Sequence, residues 1–195
     1  MKIKKCRICN SVNFYQLFSL GNLSFTGKFT KSKINNIPRD YLNLVMCKKC
    51  KLVQLDRSFN PKFLYSKDYG YRTGINKTMT EHVKSVVKEA IKISKVKKGD
   101  YVLDIASNDA TLLNFYDKSF IKVGVDPISA KYKKFYKNID FNLSDFFSYR
   151  LLKKNNLNKK FKIITTLSMF YDLKKPIFFV KDIKKILHKD GIFIL

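Results

Sequence analysis

The chain has 195 residues, enough for one large domain or for a small domain joined to a medium-sized one. Hydrophobic residues make up 45% and charged residues 28%, which excludes wholesale disorder. No apolar run approaches the ~20 residues of a membrane span, and the basic N-terminus lacks the apolar stretch of a secretory signal. We therefore expect a cytoplasmic protein with no membrane partner.

The formal net charge is +25, from 40 basic and 15 acidic residues. Such a charge suits a polyanionic partner such as nucleic acid. However, only 5 of the basic residues are Arg, the better side chain for bidentate phosphate and base contacts. Because the lysines are spread along the whole chain, the composition indicates a general bias more than a placed binding patch. Nucleic acid is the less favoured partner.

The four cysteines form two Cys-x-x-Cys pairs, Cys6 with Cys9 and Cys47 with Cys50. Each such turn aims two sulfurs at one point, and four thiolates complete the tetrahedral shell of Zn²⁺. The spacing therefore predicts a structural zinc site with no open position for water. Two disulfides or four free thiols are the alternatives, and a reducing compartment disfavours the disulfides.

The zinc-binding module is expected to cover residues 1–64, with short strands around Phe14–Leu20 and Tyr41–Val45. A linker of residues 65–78 follows, and it is rich in aromatic and turn-forming residues: Tyr65, Tyr69, Gly70, Tyr71, Arg72 and Gly74. A glycine between two tyrosines indicates a bend with aromatic flaps. The bend either closes over a ligand or packs the junction between two domains, and both interpretations stay open.

Residues 79–195 alternate short apolar runs with segments of helical periodicity. The apolar runs predict five strands: Tyr101–Ile105, Ile121–Val125, Ile139–Leu143, Phe161–Thr166 and Ile192–Leu195. The periodicity predicts five helices: Thr78–Ser94, Asp109–Asp117, Ile128–Tyr136, Phe147–Lys154 and Pro176–Leu187. This alternation implies right-handed crossovers and a parallel, Rossmann-like α/β sheet, whose ligands bind beyond the carboxyl ends of the strands.

Acidic residues stand at the carboxyl ends of the first three predicted strands: Asp104, Asp126 and Asp145. Asp126 is placed to accept the hydroxyls of a ribose. Asp145 lies beside Phe146, so it can bind an adenine amine while the ring stacks. The loop after the first strand lacks the Gly-x-Gly-x-x-Gly pattern of dinucleotide sites, which favours a nucleoside ligand without a pyrophosphate.

The cysteine module, which reads CRICNS…CKKCKLVQL, is followed in the chain by three segments: VLDIASNDATLL, VGVDP and SMFYDLKKP. In this order they resemble the zinc-containing sugar C-methyltransferases, which are S-adenosylmethionine-dependent enzymes acting on nucleotide-linked deoxysugars. The resemblance covers nearly the whole chain. It implies a class I methyltransferase sheet, S-adenosylmethionine and Zn²⁺ as cofactors, and a small-molecule nucleotide sugar as substrate.

In that family the loop after the first strand reads Asp-Ile-Gly-Ser-Asn-Asp-Gly, so Ala106 and Ala110 replace glycines here. Ala106 puts a methyl group where the cofactor's methionine approaches the backbone, and Ala110 is expected in the first turn of a helix. The resemblance implies these cofactor-lining residues: Asp104, Ala106, Asn108, Asp126, Pro127, Asp145 and Phe146. It places Tyr69 and Tyr71 near the substrate, matches His82 to a family histidine, and identifies no catalytic residue.

Two other functions fit parts of the sequence. A ribosomal RNA methyltransferase with an N-terminal zinc module suits the charge of +25. A non-catalytic zinc-ribbon protein with a degenerate Rossmann half suits Ala106 and Ala110. The sequence stops at Leu195 inside a predicted strand, where the resembled family continues with more strands and a substrate domain that holds its proposed base. We therefore expect a C-terminally truncated chain that transfers no methyl group.

Overall fold

The computed structural model describes residues 1–25, 37–66 and 68–195. The chain divides into two units, one of Met1–Tyr71 with Lys174–Ile177 and one of Arg72–Leu173 with Phe178–Leu195. The domain limits predicted after residues 64 and 78 stay predictions. In the described part of the chain, no helix is both long enough and apolar enough to cross a membrane.

The first unit contains a three-stranded antiparallel sheet. Its strands are β1 (Phe14–Ser24), β2 (Arg39–Cys47) and β3 (Val53–Leu55), paired in that order. The two strands predicted from the sequence lie within β1 and β2. A short helix, α1 (Pro61–Leu64), follows the sheet, and the Asn60 side chain caps it by accepting the N–H of Lys62 at 3.1 Å.

Few of the described apolar side chains of the first unit are buried. Among its described residues, the buried hydrophobic set is Cys6, Val45 and Cys47. Arg7 ties the N-terminal segment to β3, because its guanidinium donates hydrogen bonds to Gln54 Oε1 at 3.0 Å and to the Leu55 carbonyl at 2.7 Å. The unit is therefore held by its cysteines and by polar contacts more than by an apolar core.

The second unit is built on a parallel sheet. Its strands are β4 (Tyr101–Ile105), β5 (Ile121–Val125), β6 (Phe141–Leu143), β7 (Phe161–Thr165) and β8 (Leu187–Ile194), in the order β6-β5-β4-β7-β8. The helices between and before them are α2 (Lys77–Ser94), α3 (Tyr149–Lys154) and α4 (Pro176–Ile186). All neighbouring strands pair in parallel. The predicted α/β class, a Rossmann-like sheet of five strands with a small N-terminal cysteine module, is confirmed.

The strand order changes direction at β4. The chain moves from β4 outward to β5 and β6, and it then returns to β7 on the other side of β4. In open α/β sheets, the crevice beyond the carboxyl ends of the strands at such a switch point is where ligands bind. Leu103 of β4, Val123 of β5 and Ile164 of β7 are fully buried in one apolar cluster, which fixes the strands below this crevice.

Two of the predicted helices are not α-helices. Within Asp109–Asp117 only Leu113–Phe115 form a 3₁₀ turn. Within Ile128–Tyr136 the structure has a 3₁₀ segment, Ser129–Phe135, that breaks at Tyr132, with φ −110° and ψ 18°. The apolar residues that produce the helical spacing are nevertheless buried, among them Leu112, Leu113 and Tyr116. The spacing therefore indicates which side chains face the core, whereas the backbone hydrogen bonds follow the shape of the loops.

The last strand also differs from the prediction. The sequence predicts a turn at Asp190–Gly191 and a strand from Ile192, but β8 begins directly after α4 and runs through all three residues. Its pairing with β7 jumps from Leu187 opposite Phe161 to Ile192 opposite Ile163. Four residues, from His188 to Gly191, therefore lie opposite the single residue Lys162, and the pairing within β8 is interrupted where the sequence predicts the turn.

Candidate functional site

The four cysteine sulfurs form one cluster. All four Sγ atoms lie within 4.8 Å of one another, with Cys6 3.6 Å from Cys50 and Cys9 3.5 Å from Cys47. These separations exclude disulfides, whose S–S bond is about 2.05 Å. They are close to the ~3.8 Å edge of a tetrahedron built on Zn–S bonds of about 2.3 Å. The predicted zinc ligands are brought together as one four-thiolate site.

The two Cys-x-x-Cys turns have the same backbone form. In each, the residue after the second cysteine donates its N–H to the carbonyl of the first cysteine: Asn10 to Cys6 at 3.1 Å, and Lys51 to Cys47 at 2.9 Å. Asn10 and Lys51 are both left-handed, with φ of 59° and 63°. Each turn thereby directs backbone N–H groups at the first sulfur, which favours the thiolate over the thiol.

The thiols differ in acidity because they crowd one another. Burial raises the pKa of Cys6, but hydrogen bonds from the N–H groups of Cys9 and Ile8 and from the Gln54 and Cys50 side chains together lower the pKa to about 6. At Cys50 the N–H of Leu52 lowers the pKa, but burial and the neighbouring sulfurs outweigh it and raise the pKa to about 12. Sulfurs this close become four thiolates only when a cation offsets their repulsion, so the cluster fits the metal that its geometry suits.

The loop after β4 has an alternating left-handed backbone. Ala106, Asn108 and Ala110 have φ of 62°, 50° and 61°. This conformation costs a residue with a Cβ atom roughly 1–2 kcal/mol, whereas glycine adopts it freely. The expectation that Ala110 lies in the first turn of a helix is wrong, because its backbone is left-handed and no helix begins there. Both alanines occupy positions where glycine would relieve strain.

Hydrogen bonds from several sides hold this loop. The Ala106 N–H donates to the Val125 carbonyl of β5 at 2.8 Å, and the Asn108 N–H donates to Asp126 Oδ2 at 2.9 Å. The Tyr136 hydroxyl donates to the Asn108 carbonyl at 2.9 Å. A strained backbone persists only when its surroundings fix it in this way, and such segments concentrate at functional sites.

Two carboxyl groups are buried at the ends of β4 and β5. Asp104 is 4% exposed and Asp126 is 6% exposed. Burial raises the pKa of Asp104 to about 7, although Thr165 Oγ1 donates a hydrogen bond to it at 2.6 Å. Burial also raises the pKa of Asp126, although its oxygens accept the N–H groups of Ile128 and Asn108. Across the described ranges, no cation forms an ion pair with either carboxyl group.

The loops after β5 and β6 are joined. The Asp126 N–H donates to the Leu143 carbonyl at 3.1 Å, and Asp145 Oδ1 accepts the N–H of Phe146 at 2.7 Å. Asp145 is exposed, whereas Phe146 and Pro127 are half-buried. One edge of the sheet therefore carries all the residues predicted to line the cofactor: Asp104, Ala106, Asn108, Asp126, Pro127, Asp145 and Phe146. Their binding role stays a prediction.

The residues predicted to lie near the substrate belong to the first unit. Tyr69 packs edge-on against Tyr65, with ring centroids 5.3 Å apart, and Tyr71 is 43% exposed. His82, which belongs to α2 in the second unit, is exposed. The substrate role of these residues stays a prediction.

The first residues of the second unit contact the loop after β4, which the sequence analysis missed. The Thr73 N–H donates to Asn108 Oδ1 at 3.0 Å, and the Gly74 N–H donates to Asp109 Oδ2 at 3.0 Å. A Cβ atom at residue 74 would lie 2.7 Å from Thr111 Oγ1 and 2.9 Å from Asp109 Oδ2, so a larger residue here would displace these side chains. Gly74 was the available signal in the sequence, because a glycine indicates a close approach of the backbone to another segment as readily as it indicates a bend.

Comparison with known proteins gives one family match. The family model Methyltransf_13, which describes a zinc binding domain, matches residues 6–65. That span contains all four clustered cysteines. No curated protein sequence matches the chain. The family match and the sulfur geometry together show that the N-terminal module is a zinc-binding domain.

The chain also matches solved methyltransferase structures at low sequence identity. The plantazolicin methyltransferase, in complex with a pentazolic analogue and SAH, is 16% identical with a TM-score of 0.47, and the match covers 60% of this chain and 48% of that chain. An S-adenosylmethionine-dependent methyltransferase from Clostridium acetobutylicum is 21% identical with a TM-score of 0.41, covering 58% and 48%. One from Geobacter sulfurreducens, bound to S-adenosyl-L-homocysteine, is 14% identical with a TM-score of 0.43, covering 70% and 55%. The chain spans about half the length of these structures.

Proposed function

We propose that the second unit binds S-adenosylmethionine and that the protein is a methyltransferase. One observation carries the proposal: Asp104, Asp126 and Asp145 stand at the carboxyl ends of three adjacent strands, beside the tight loop at the switch point of the sheet. Doubly wound sheets bind nucleosides at this place, and a carboxylate after the second strand suits the ribose hydroxyls. The matching family model is also named for methyltransferases.

The charge of the site supports this ligand over other nucleoside cofactors. Asp104 and Asp126 are buried and, among the described residues, have no cationic partner, so their ionised forms are poorly stabilised. A dinucleotide would add a pyrophosphate and increase the repulsion. S-adenosylmethionine instead brings a sulfonium and an ammonium group, which offset the carboxylates. The negative charge of the site therefore fits this cofactor.

Five residues at this edge of the sheet have a role in the proposal. Asp126 accepts the ribose hydroxyls, while Asp145 and the ring of Phe146 hold the adenine by a hydrogen bond and by stacking. Asp104 places negative charge opposite the cationic end of the cofactor. By the family resemblance, Ala106 would lie where the amino-acid end of the cofactor approaches the backbone, and its methyl group would narrow that approach. When bound, the cofactor would supply an electrophilic methyl group, and these residues would hold and orient it.

The zinc site has a structural role in this proposal. Four thiolates from Cys6, Cys9, Cys47 and Cys50 fill the tetrahedral shell, so no position is left for water or substrate. Metal binding in such modules supplies folding free energy. The zinc therefore keeps the N-terminal module folded and takes no part in methyl transfer.

For the substrate we propose a carbon atom of a nucleotide-linked sugar. The support is the resemblance of the loop and strand-end motifs, together with the tyrosine-rich linker that holds Tyr69 and Tyr71. The net charge of +25 favours RNA as the second candidate, because neutralised phosphates release counterions on binding. The two candidates differ in the salt dependence that they predict.

Calorimetric titration with S-adenosylhomocysteine tests the cofactor proposal. Asp126→Asn should weaken binding at least about tenfold, because charge-assisted hydrogen bonds are worth roughly 1.5–3 kcal/mol each. Asp190→Asn removes an exposed carboxylate of the same unit and should bind as the wild type does. Thermal unfolding of both variants checks that the fold is kept. Absence of binding by the wild type, or equal binding by Asp126→Asn, would show that the proposal is wrong.

Titration with a nucleoside-diphosphate 4-keto sugar and with RNA separates the two substrate classes. We expect the sugar nucleotide to bind with little change between about 50 and 200 mM salt, and RNA to bind weakly. Tight RNA binding that falls steeply with salt, without binding of the sugar nucleotide, would replace the sugar by RNA as the substrate.

A further inference from the structure

Arg72 begins the second unit and lies against the loop after β4. Its Nε is 3.3 Å from Asp109 Oδ2, and its guanidinium lies over the ring of Phe135, 4.6 Å from the ring centroid. The Arg72 side chain is 26% exposed. Stacking on one face and an ion pair on one edge together fix the plane of the guanidinium.

Asp109 does not use up the hydrogen-bonding capacity of this guanidinium. Its Oδ2 also accepts the N–H of Gly74, and its Oδ1 accepts the N–H and the hydroxyl of Thr111. The Arg72 Nε is buried without a hydrogen bond. A guanidinium carries five N–H groups, so Arg72 has donors available for an anion.

Arg72 shares its electrostatic surroundings with the proposed ribose ligand. Burial and Asp109 raise the pKa of Tyr132, Arg72 lowers it, and Asp126 raises it, so all three charges act on one phenol ring. Within the described ranges, the Arg72–Asp109 contact is the one ion pair made by residues 104–111. Arg72 is therefore the cation that the fold places at this loop.

We infer that Arg72 binds the carboxylate at the amino-acid end of S-adenosylmethionine, and this inference rests on the proposed function. That carboxylate is the anionic group of the cofactor, and Asp104, Asp109 and Asp126 repel it unless a cation is present. A planar guanidinium binds a carboxylate through two parallel N–H···O hydrogen bonds. Because the guanidinium plane is fixed before the ligand arrives, little side-chain freedom is lost on binding.

Calorimetry with two ligands tests the inference. S-adenosylhomocysteine has the amino-acid end, and 5′-methylthioadenosine lacks it. Arg72→Met should weaken binding of S-adenosylhomocysteine by about ten- to a hundredfold and leave binding of methylthioadenosine unchanged. Arg72→Lys keeps the positive charge but loses the paired N–H groups of the guanidinium. Its affinity for S-adenosylhomocysteine should therefore lie between those of the wild type and Arg72→Met. Arg150→Met, which changes an exposed arginine of α3, should bind both ligands as the wild type does.

Each other outcome has a distinct meaning. Equal loss of both ligands in Arg72→Met would show that Arg72 only supports the loop, and this overturns the inference while the proposed function stands. Unchanged binding of S-adenosylhomocysteine in Arg72→Met overturns it in the same way. If the wild type binds neither ligand, the proposed function and the inference fail together.

Discussion

The interactions that stabilise the first unit internally differ from those that stabilise the second. Among the described residues of the first unit, Val45 and two cysteines are the buried hydrophobic residues, and four sulfurs converge on one point. In the second unit a continuous apolar cluster spans β4, β5, β7 and α4. One unit therefore depends on a single metal ion, whereas the other spreads its stability over many side chains.

Both units nevertheless place left-handed residues beside their sites. In the first unit these are Asn10 and Lys51, each directly after a Cys-x-x-Cys pair. In the second they are Ala106, Asn108 and Ala110, in the loop at the switch point. Five of the eight non-glycine residues with positive φ in the described part of the chain thus lie beside the two sites, and the other three, Lys95, Asn156 and Ser168, lie in other turns.

Removing the metal tests the difference most strongly. We expect chelation, or the variant Cys47→Ser, to unfold the first unit and to leave the second folded, because zinc binding supplies about 10–16 kcal/mol in small zinc modules at pH 7. Hydrogen exchange on the whole chain measures this: amides of β1–β3 lose protection while those of β4–β8 keep it. Lys49→Ala, an exposed change in the same turn, is the control. Loss of protection in both units together would contradict the comparison.

Features that depend on spacing or composition could be predicted from the sequence. β4 and β5 have the predicted limits because YVLDI and IKVGV are short apolar runs, as expected for central strands of a parallel sheet. The four cysteines could be assigned because metal ligands require a fixed spacing. The position of Asp126 at a strand end followed directly from the limits of β5.

The loop at the proposed site could not be predicted in this way. Alanine favours helices, so nothing in the sequence indicates that Ala106 and Ala110 are left-handed. That conformation is stabilised by contacts such as the bond from Tyr136, which come from elsewhere in the fold. Arg72 looked like part of a linker, because its partner Asp109 lies beyond the whole of α2. Such contacts depend on the packing of residues that are distant in the sequence, and the hydrophobic periodicity of the sequence carries no information about that packing.

A second experiment uses pH to test how burial of a carboxyl group affects the stability of the second unit. The Asp104 carboxyl titrates near pH 3.8 when unfolded and near 7 in the folded protein, because burial raises its pKa. The folded state therefore holds the proton more tightly, and the stability contributed by protonated Asp104 is complete below about pH 4 and lost as pH rises through about 7. Asp104→Asn should flatten this part of the stability curve and raise the free energy of unfolding at pH 8 by a few kcal/mol.

Urea unfolding of the second unit between pH 5 and 8 measures this effect. Asp190→Asn, which alters an exposed carboxylate, should follow the wild-type curve. Parallel curves for wild type and Asp104→Asn would show that the folded protein does not raise the pKa of Asp104.

The smallest expected effect concerns the strained loop. Ala106→Gly and Ala110→Gly should each raise the free energy of unfolding by about 1 kcal/mol, because loss of the Cβ relieves the left-handed backbone and glycine's chain freedom offsets part of the gain. Ala90→Gly in the middle of α2 should lower it by about 1 kcal/mol. Chemical denaturation of the three variants measures the difference. A decrease at residues 106 and 110 like that at residue 90 would mean that the loop is not strained.

Asp109 has a mechanical consequence for the second unit. Its carboxylate collects donors from Gly74 and Thr111 and pairs with Arg72, so it fastens the chain before α2 to the chain after β4. Any movement of the start of α2 away from this loop therefore has to break the Gly74 hydrogen bond and the Arg72 ion pair, so the two segments act as one mechanical piece.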